Sequence, residues 1–435
     1  MNQVEELYRI FIEHPVVTTD SRNCPEGSIF FALKGDTFNG NEYAVQALQK
    51  GCAFAVVDEW NSEMDEYSSQ LMKVDDVLTT LQQLARHHRK VLNTPIIGIT
   101  GTNGKTTTKE LISAVLKMKY NVLYTQGNFN NHIGVPKTLL QLTAEHELAV
   151  VEMWANHPGE IKTLVNIVEP NYGIITNVGK AHLLGFGSFE GVIRTKGELY
   201  DFLREHGGVV FIDGNNEHLL KISDVLELVK YANNGNIIGN DPFLSIKWHD
   251  KTIHTNLIGI YNVDNVLAAA TIGEYFKVDD EAICEALSEY VPSNNRSQFK
   301  KTEQNNLIVD AYNANPTSMK AALDNFSNIN VPNKLAILGD MKELGSESLK
   351  EHMNIIQLLA ENKIEAWLTG GEFKSAVEKC KSSESPLVAD FANNVMCFND
   401  AESIKQYITN NKPENKTILI KGSNGTRLFT LPDLL

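Results

Sequence analysis

Cysteine and positive charge are both scarce in this chain of 435 residues, and each scarcity excludes a class of protein. The cysteines are odd in number, scattered, and without a Cys-x-x-Cys pair, which indicates neither a disulfide framework nor a thiolate zinc site. They are Cys24, Cys52, Cys284, Cys380 and Cys397. The 39 Lys and Arg residues face 54 Asp and Glu residues, a formal net charge of −15. This balance argues against nucleic acid or an anionic membrane as a partner.

Long apolar runs are also missing. None approaches the roughly 20 residues that a membrane-spanning helix needs, so we expect no membrane insertion. Residues 1–6 lack the basic and apolar regions of a signal peptide, and we expect a cytoplasmic protein. Hydrophobic residues make up 42% and charged residues 21%, a composition typical of soluble globular enzymes. The length predicts two or three domains.

Short apolar runs alternate with helical segments along most of the chain. This alternation predicts βαβ units and mainly parallel sheets, and therefore an α/β fold. Helices are predicted at 4–14 and 109–120. Strands are predicted at 96–100, 121–124, 148–153, 172–176, 208–212, 307–310, 334–338, 366–369 and 417–420. A polar interruption at 291–295 marks a boundary.

We therefore predict three domains. Residues 1–92 form a smaller N-terminal α/β domain. Residues 93–291 form a central P-loop ATPase domain with a mainly parallel sheet, and residues 292–435 form a C-terminal Rossmann-like domain.

A glycine-rich turn between a predicted strand and a predicted helix has the residues that a triphosphate site requires. Its members are Gly101, Thr102, Asn103, Gly104, Lys105, Thr106 and Thr107. The glycines let backbone N–H groups face the phosphates, Lys105 supplies a charge, and Thr106 offers a hydroxyl to Mg²⁺. Ile99 stands where the strict P-loop pattern has its first glycine. The turn predicts nucleotide binding, but by itself it does not separate a ligase from a kinase, a motor or a regulatory ATPase.

Further segments resemble the Mur ligases of peptidoglycan synthesis, over nearly the whole chain. In that family the shortened Gly-Thr-Asn-Gly-Lys-Thr-Thr turn is the standard form. The other matching segments are 127–136 (GNFNNHIGVP), 152–160 (EMWANHPGE), 176–183 (TNVGKAHL), 194–200 (RTKGELY), 259–265 (GIYNVDN), 310–316 (DAYNANP) and 338–345 (LGDMKELG).

The resemblance implies ATP and Mg²⁺, with two metal ions expected. A hard cation prefers oxygen ligands, so Glu152, after an apolar strand, is a natural ligand, together with Thr106. His182 is a less usual ligand that the resemblance implies. Lys196 matches a lysine that relatives carbamylate, which would turn an amine into an anionic oxygen donor. From its helical position alone, Lys196 would be a solvated surface lysine.

The resemblance also implies roles for residues at the substrates. Arg296 matches an arginine that reaches the γ-phosphate, Asn262 lies in the segment near the adenine, and Asp310 belongs to the nucleotide site. We therefore expect Lys105, His182, Lys196 and Arg296 to be the catalytic residues. The expected substrate-binding residues are Ser21, Arg22 and Lys34 for the UDP portion, Asn130 and Asn131 for the muramoyl peptide, and Tyr312, Asn313 and Asn315 in the most diagnostic segment.

The activity that this resemblance implies is ATP-dependent ligation of D-alanyl-D-alanine to UDP-N-acetylmuramoyl-tripeptide through an acyl phosphate. A monomer is the default expectation, independent of the resemblance. Three alternatives stay open: a related ligase that adds a single amino acid, a P-loop ATPase without ligation activity, and an inactive homologue. Only Trp154, where relatives usually have glycine, favours the last. Its indole either fills the metal site or packs outward from ordinary β backbone. Tyr261 is a second departure, since it replaces a usual histidine.

Overall fold

The computed structural model describes residues 3–331 and 333–435, which form four main sheets covered by helices. The N-terminal sheet is parallel, and its strands lie in the order Val17–Thr18, Ile29–Phe31, Phe54–Val57 and Leu71–Lys73. Lys34–Gly35 and Phe38–Asn39 form a small hairpin. The helices of this region are Gln3–Glu13, Ala44–Gln49 and Val77–Leu92, with 3₁₀ turns at Gly40–Tyr43 and Ser62–Gln70.

The helix Val77–Leu92 joins the N-terminal sheet to the central region. The Asp76 side chain caps its first turn, accepting from the Thr79 N–H at 2.6 Å, and Asn93 ends it in the left-handed conformation with φ 53°. Its buried Leu81 and Leu84 belong to one continuous apolar core that includes residues of both sheets. The N-terminal region is therefore packed against the central domain, which carries the glycine-rich loop.

The central sheet has six parallel strands. Their order is Glu227–Tyr231, Val209–Asp213, Tyr172–Ile175, Ile96–Thr100, Leu148–Glu152 and Val122–Tyr124. The surrounding helices are Lys105–Lys117, Gly134–Leu139, Glu160–Val168, Leu183–Phe186, Phe189–His206, Glu217–Lys221, Val263–Tyr275 and Asp280–Glu289, with a 3₁₀ turn at Ile260–Asn262. The prediction of a helix at 109–120 places its start too late. The helix begins at Lys105 because Gly104, at φ 77°, turns the chain directly into it.

A three-stranded antiparallel sheet follows, which was not predicted from the sequence. Its strands are Ile237–Asn240, Phe243–Trp248 and Lys251–Ile258.

The C-terminal sheet has six strands, of which the first is antiparallel to its neighbour. Their order is Gln298–Lys301, Asn306–Asp310, Thr417–Lys421, Lys334–Gly339, Glu365–Thr369 and Met396–Phe398. The helices are Pro316–Asn328, Ser348–Glu361, Gly371–Cys380, Pro386–Asn394 and Ala401–Asn410, with 3₁₀ turns at Gly345–Glu347, Asn424–Thr426, Leu428–Thr430 and Pro432–Leu434.

The strands predicted between 96 and 420 are all present, and no bound differs by more than one residue. Within residues 3–331 and 333–435, no helix combines the length and apolar character that crossing a membrane requires. The carboxyl ends of Ile96–Thr100, Leu148–Glu152 and Tyr172–Ile175 meet at one edge of the central sheet, and a deep cleft opens there.

Candidate active site

A cleft of about 890 Å³ lies between the carboxyl edge of the central sheet and the C-terminal domain. Most of the residues predicted for the site line it: Thr102, Asn103, Gly104, Lys105, Thr107, Asn130, Asn131, Glu152, His182, Asn262, Arg296, Asp310, Tyr312, Asn313 and Asn315. The chain therefore brings together residues more than 200 positions apart, from two domains, around one space.

The phosphate loop is held by the segment that follows the strand Tyr172–Ile175. The Thr102 N–H donates to the Asn177 carbonyl at 2.9 Å, and the Asn103 N–H donates to Asn177 Oδ1 at 3.0 Å. Thr176 Oγ1 donates to the Asn103 carbonyl at 2.6 Å, and the Gly179 N–H donates to Thr102 Oγ1 at 3.0 Å. These roles of Thr176 and Asn177 were not predicted, although polar residues directly after a buried strand indicate a position at the sheet edge.

Two glycines of the loop are required by geometry. Gly101 has φ 142°, and a Cβ there would lie 2.1 Å from Thr176 Oγ1. Gly104 has φ 77°, and a Cβ there would lie 2.6 Å from Asn265 Oδ1. Both positions combine a left-handed backbone with close neighbours, so a side chain at either would displace the loop.

Lys105 folds back over the loop that precedes it. Its Nζ donates to the carbonyls of Gly101 and Thr102, at 2.7 and 3.0 Å. Burial lowers the pKa of Lys105 to about 8; the Glu152 carboxylate opposes this shift and the Arg296 charge adds to it. A bound phosphate would supply the negative charge that favours the ammonium form.

Glu152 forms the floor of the cleft and is only 1% exposed. Its Oε2 accepts from Thr106 Oγ1 at 3.0 Å, and its Oε1 accepts from Asn130 Nδ2 at 2.7 Å. The Glu152 N–H donates to Thr125 Oγ1 at 3.0 Å. A carboxylate and a hydroxyl side by side, next to a phosphate loop, fit Mg²⁺, which takes few protein oxygens and completes its shell with phosphate and water.

In the part of the chain that the structure describes, no group of three His, Cys, Asp or Glu side chains forms a ready-made metal centre. Thr106 and Glu152 supply two oxygens, which suits a metal that takes its remaining ligands from a nucleotide and water. Asn130, predicted to bind substrate, uses its amide to hold Glu152, and Asn131 Oδ1 accepts the N–H of Gly134 at 2.8 Å at the start of the next helix.

Trp154 and His182 form one wall of the cleft. The Trp154 and His182 rings meet edge to face with 5.7 Å between their centroids, and the buried Phe186 ring has its centroid 6.2 Å from that of His182. His182 Nδ1 forms a hydrogen bond with the Glu343 carboxylate. Burial lowers the pKa of His182, and the Glu343 carboxylate opposes this shift. The outward-facing placement considered for the Trp154 ring is wrong, since the side chain lines the cleft.

Lys196 is 2% exposed, so the solvated lysine suggested by its helical position is wrong. Its Nζ donates to the Ala155 carbonyl at 3.1 Å and lies 5.1 Å from the Phe186 ring centroid. Burial lowers the pKa of Lys196 well below its ordinary value, and the charge of Lys105 adds to this shift. A neutral amine is the form that attacks CO₂, so the environment fits the carbamylation that the resemblance implies.

Arg296 is oriented by the aromatic ring of Tyr312. The guanidinium carbon lies 3.7 Å from the ring centroid, and Nε is buried without a hydrogen-bond partner among the described residues. Nearby, Asp310 Oδ2 accepts from Lys421 Nζ at 2.5 Å, and Asp310 Oδ1 accepts from the Ser297 N–H at 3.3 Å. Lys421, 2% exposed, was not assigned a role from the sequence, and the structure shows that it holds Asp310.

Asn315 connects the C-terminal domain to the phosphate loop. Its Oδ1 accepts the Ser318 N–H at 2.9 Å and caps the helix Pro316–Asn328, while its Nδ2 donates to Asn103 Oδ1 at 2.7 Å. Asn313, which is exposed, accepts the Ala314 N–H at 2.9 Å. Asn315, which was predicted to bind substrate, thus fixes the position of the C-terminal domain against the phosphate loop.

The Asn262 amide is used inside the protein. Its Nδ2 donates to the Ile258 carbonyl at 2.8 Å, and its Oδ1 accepts from Asn265 Nδ2 at 2.9 Å. The side chain is nearly buried, with 2% of the residue exposed. Pairing with an adenine edge would require these bonds to be exchanged.

Ser21, Arg22 and Lys34 do not line the cleft and lie on the N-terminal domain. Arg22 makes a two-point contact with Asp20, from Nε at 2.8 Å and from Nη2 at 2.9 Å. The Ser21 carbonyl accepts from Lys50 Nζ at 2.8 Å. Lys34 Nζ lies 2.9 Å from carboxylate oxygens of both Asp58 and Glu59.

Comparison with known proteins places this geometry in a family. The family model described as Mur ligase middle domain matches residues 99–273. The model of the Mur ligase glutamate ligase domain matches residues 295–424, and that of the Mur ligase family catalytic domain matches residues 15–89.

Individual proteins match along the whole chain. The UDP-N-acetylmuramoyl-tripeptide--D-alanyl-D-alanine ligase of Bacillus subtilis is 34% identical, over 95% of this chain and 91% of the relative. A crystal structure of MurF from Acinetobacter baumannii superposes with a TM-score of 0.84 at 29% identity, covering 96% of this chain and 92% of that one. The Thermotoga maritima MurF ligase, solved in complex with ADP, shares the fold, with a TM-score of 0.82 at 22% identity and coverage of 100% and 98%.

These matches confirm the predicted fold class of three α/β domains with mainly parallel sheets. They also extend over all the segments on which the resemblance was based. The chain belongs to the Mur ligase family.

Proposed function

We propose that this protein joins D-alanyl-D-alanine to UDP-N-acetylmuramoyl-tripeptide, with ATP converted to ADP and phosphate, in the cytoplasmic synthesis of peptidoglycan precursors. The observation that carries the proposal is the single cleft at which the phosphate loop, the Thr106–Glu152 pair and Arg296 meet. Relatives named UDP-N-acetylmuramoyl-tripeptide--D-alanyl-D-alanine ligase, which match over nearly their full length, support the choice of substrates. We propose a monomer whose residues 1–92 bind the UDP portion, 93–291 bind ATP, and 292–435 bind the dipeptide.

The reaction needs ATP because a carboxylate is a poor electrophile. In the first step a tripeptide carboxylate oxygen bonds to the γ-phosphorus, the bond from that phosphorus to the β–γ bridging oxygen breaks, and ADP leaves. In the second step the dipeptide amine attacks the acyl phosphate carbon. The tetrahedral intermediate loses a proton from nitrogen and expels phosphate, which leaves an amide.

The side chains of the cleft are suited to the first step mainly by charge and position. Lys105 and Arg296 bring positive charge to the phosphates, and the Tyr312 ring keeps the guanidinium plane in place. Thr106 and Glu152 would hold one Mg²⁺, and His182 with carbamylated Lys196 would hold a second. Bound Mg²⁺ neutralises charge on phosphate and carboxylate oxygens.

A second cavity, of about 410 Å³, suits the acceptor. It lies at the carboxyl ends of strands of the C-terminal sheet, and Lys342 and Gly425 line both it and the main cleft. D-alanyl-D-alanine extends roughly 7 Å, and we place its carboxylate in this cavity with its amine toward the adjoining cleft. Arg427, which is exposed, supplies positive charge for that carboxylate, whereas Lys342 Nζ already donates to Asp340 Oδ2 at 3.2 Å.

Phosphate release measured with ATP and UDP-N-acetylmuramoyl-tripeptide, with and without D-alanyl-D-alanine, tests the proposal. Release that depends strictly on the dipeptide supports it. Acceptor-independent release indicates an ATPase, and release with a single amino acid indicates a related ligase. No release under any condition indicates an inactive homologue. Lys105→Ala, prepared identically, measures any contaminating ATPase.

A further inference from the structure

The segment after the strand Lys334–Gly339 reaches from the C-terminal domain to the wall of the cleft. Glu343 makes two contacts there with the central domain. Its carboxylate bonds to His182 Nδ1, and its backbone carbonyl accepts the Leu184 N–H at 3.3 Å. The side chain and the backbone of Glu343 thus both contact the segment 182–184, which contains the predicted metal ligand His182.

The base of this segment is firmly held. Asp340, 1% exposed, accepts the Phe373 N–H at 3.0 Å, and the Met341 N–H donates to His352 Nε2 at 3.0 Å. Glu343 itself has φ 63°, a left-handed conformation that non-glycine residues seldom adopt. The chain is therefore bent at Glu343 and rigid just before it, which directs the carboxylate to His182.

The contact of Glu343 with Nδ1 determines which nitrogen of His182 is available to bind a metal. A neutral imidazole carries its proton on one nitrogen only, and a carboxylate at Nδ1 favours the proton there. Nε2 then keeps its lone pair for a metal. The Trp154 and Phe186 rings pack nearly perpendicular to the imidazole and restrict its rotation.

We propose that Glu343 is a positioning residue that holds His182 as the Nδ1–H tautomer with Nε2 directed to Mg²⁺. Because Glu343 belongs to the C-terminal domain, the ligand is correctly presented only when that domain is seated against the central one. The inference rests on the metal role proposed for His182.

The same interface contains a matched control. Lys180 Nζ lies 3.1 Å from Glu351 Oε1, so this pair also links the central and C-terminal domains. Glu351 has no contact with the His182 ring among the bonds of the described residues. Glu351→Ala therefore removes an interdomain carboxylate but keeps the hydrogen-bond partner of His182. Glu343→Ala removes a carboxylate that is both an interdomain contact and the partner of His182.

Long-range ¹H–¹⁵N correlation spectra of metal-free protein labelled with ¹⁵N-histidine measure the tautomer directly. His182→Asn identifies the signals of that ring among the 12 histidines. We expect wild type and Glu351→Ala to show protonated Nδ1, and Glu343→Ala to shift toward protonated Nε2. Mn²⁺ titration in the presence of ADP measures the affinity for the metal. We expect that affinity to fall about 10- to 100-fold in Glu343→Ala, the usual effect of losing a hydrogen-bond partner of a metal ligand, and to stay unchanged in Glu351→Ala.

The proposal is overturned if Glu343→Ala matches Glu351→Ala in either the ring nitrogen shifts or the Mn²⁺ affinity. Thermal melting of both variants checks that each is folded. The proposed function fails separately, if wild type shows the Nδ1–H tautomer and binds Mn²⁺ but releases no phosphate in response to the dipeptide.

Discussion

Alkaline pH should weaken nucleotide binding through Lys105. Burial lowers the pKa of this lysine in the free protein to about 8, whereas phosphate oxygens beside it would keep it charged in the complex. Affinity is therefore full below that pKa and falls as the pH rises above it, because binding must then take up a proton. By proton linkage, MgADP affinity should fall on the order of 20-fold between pH of about 7.5 and about 9.5.

Isothermal titration calorimetry at each pH measures the affinity, and repeating it in buffers of different ionisation enthalpy counts the protons taken up. Lys105→Arg is the control, because guanidinium stays charged throughout this range. The variant should bind more weakly than wild type at neutral pH but show little dependence on pH. The reasoning is refuted if wild-type affinity is flat across the range, or if Lys105→Arg loses affinity as steeply as wild type.

Three further variants test other parts of the site. Lys196→Ala should lose most activity and regain part of it with formate, and an untreated variant of full activity would exclude the carbamate. Arg427→Ala should raise KM for D-alanyl-D-alanine about tenfold, the effect of losing one charged hydrogen bond, with KM for ATP unchanged; equal changes in both constants would remove the acceptor cavity from the proposal. Asn315→Ala should lose about 1 kcal/mol of stability with its helix cap and raise KM for ATP, whereas Ser318→Ala should leave KM for ATP unchanged; identical effects on KM would show that the Asn103 contact is unimportant.

The parallel strands inside the sheets could be predicted closely because they are largely buried and read as continuous apolar runs. The strand Ile96–Thr100, for example, is buried at every position. The parallel strands Glu227–Tyr231 and Met396–Phe398, at the ends of their sheets and more exposed, were not predicted. The antiparallel strand Phe243–Trp248 alternates between buried and at least partly exposed residues, so it contains no continuous apolar run. The prediction of strands from apolar runs therefore passed over it.

Local chemistry in the site was predictable, but its partnerships were not. The glycine loop follows the strand Ile96–Thr100 and Glu152 ends the strand Leu148–Glu152, so both are predicted at the same edge of the sheet. The contacts between Asn315 and Asn103 and between Glu343 and His182 join residues 212 and 161 positions apart, and sequence spacing carries no information about either.

The burial of Lys196 is indicated by the residues that share its helical face. Leu199, Tyr200 and Leu203 lie three, four and seven positions after it, so all four residues share one helical face. That face is buried in the structure. A lysine in an apolar stripe is a reason to expect a perturbed amine even without knowledge of relatives.

Trp154 also has a spectroscopic consequence. The chain has four tryptophans, and the other three lie in different surroundings: Trp248 in the antiparallel sheet, Trp367 in the C-terminal sheet and Trp60 in the N-terminal region. The indole of Trp154 lines the cleft, so ligands that displace water from it should change its emission. Subtracting the spectrum of Trp154→Phe isolates that signal. The protein thus contains its own optical probe, which can follow the order in which substrates enter without any attached dye.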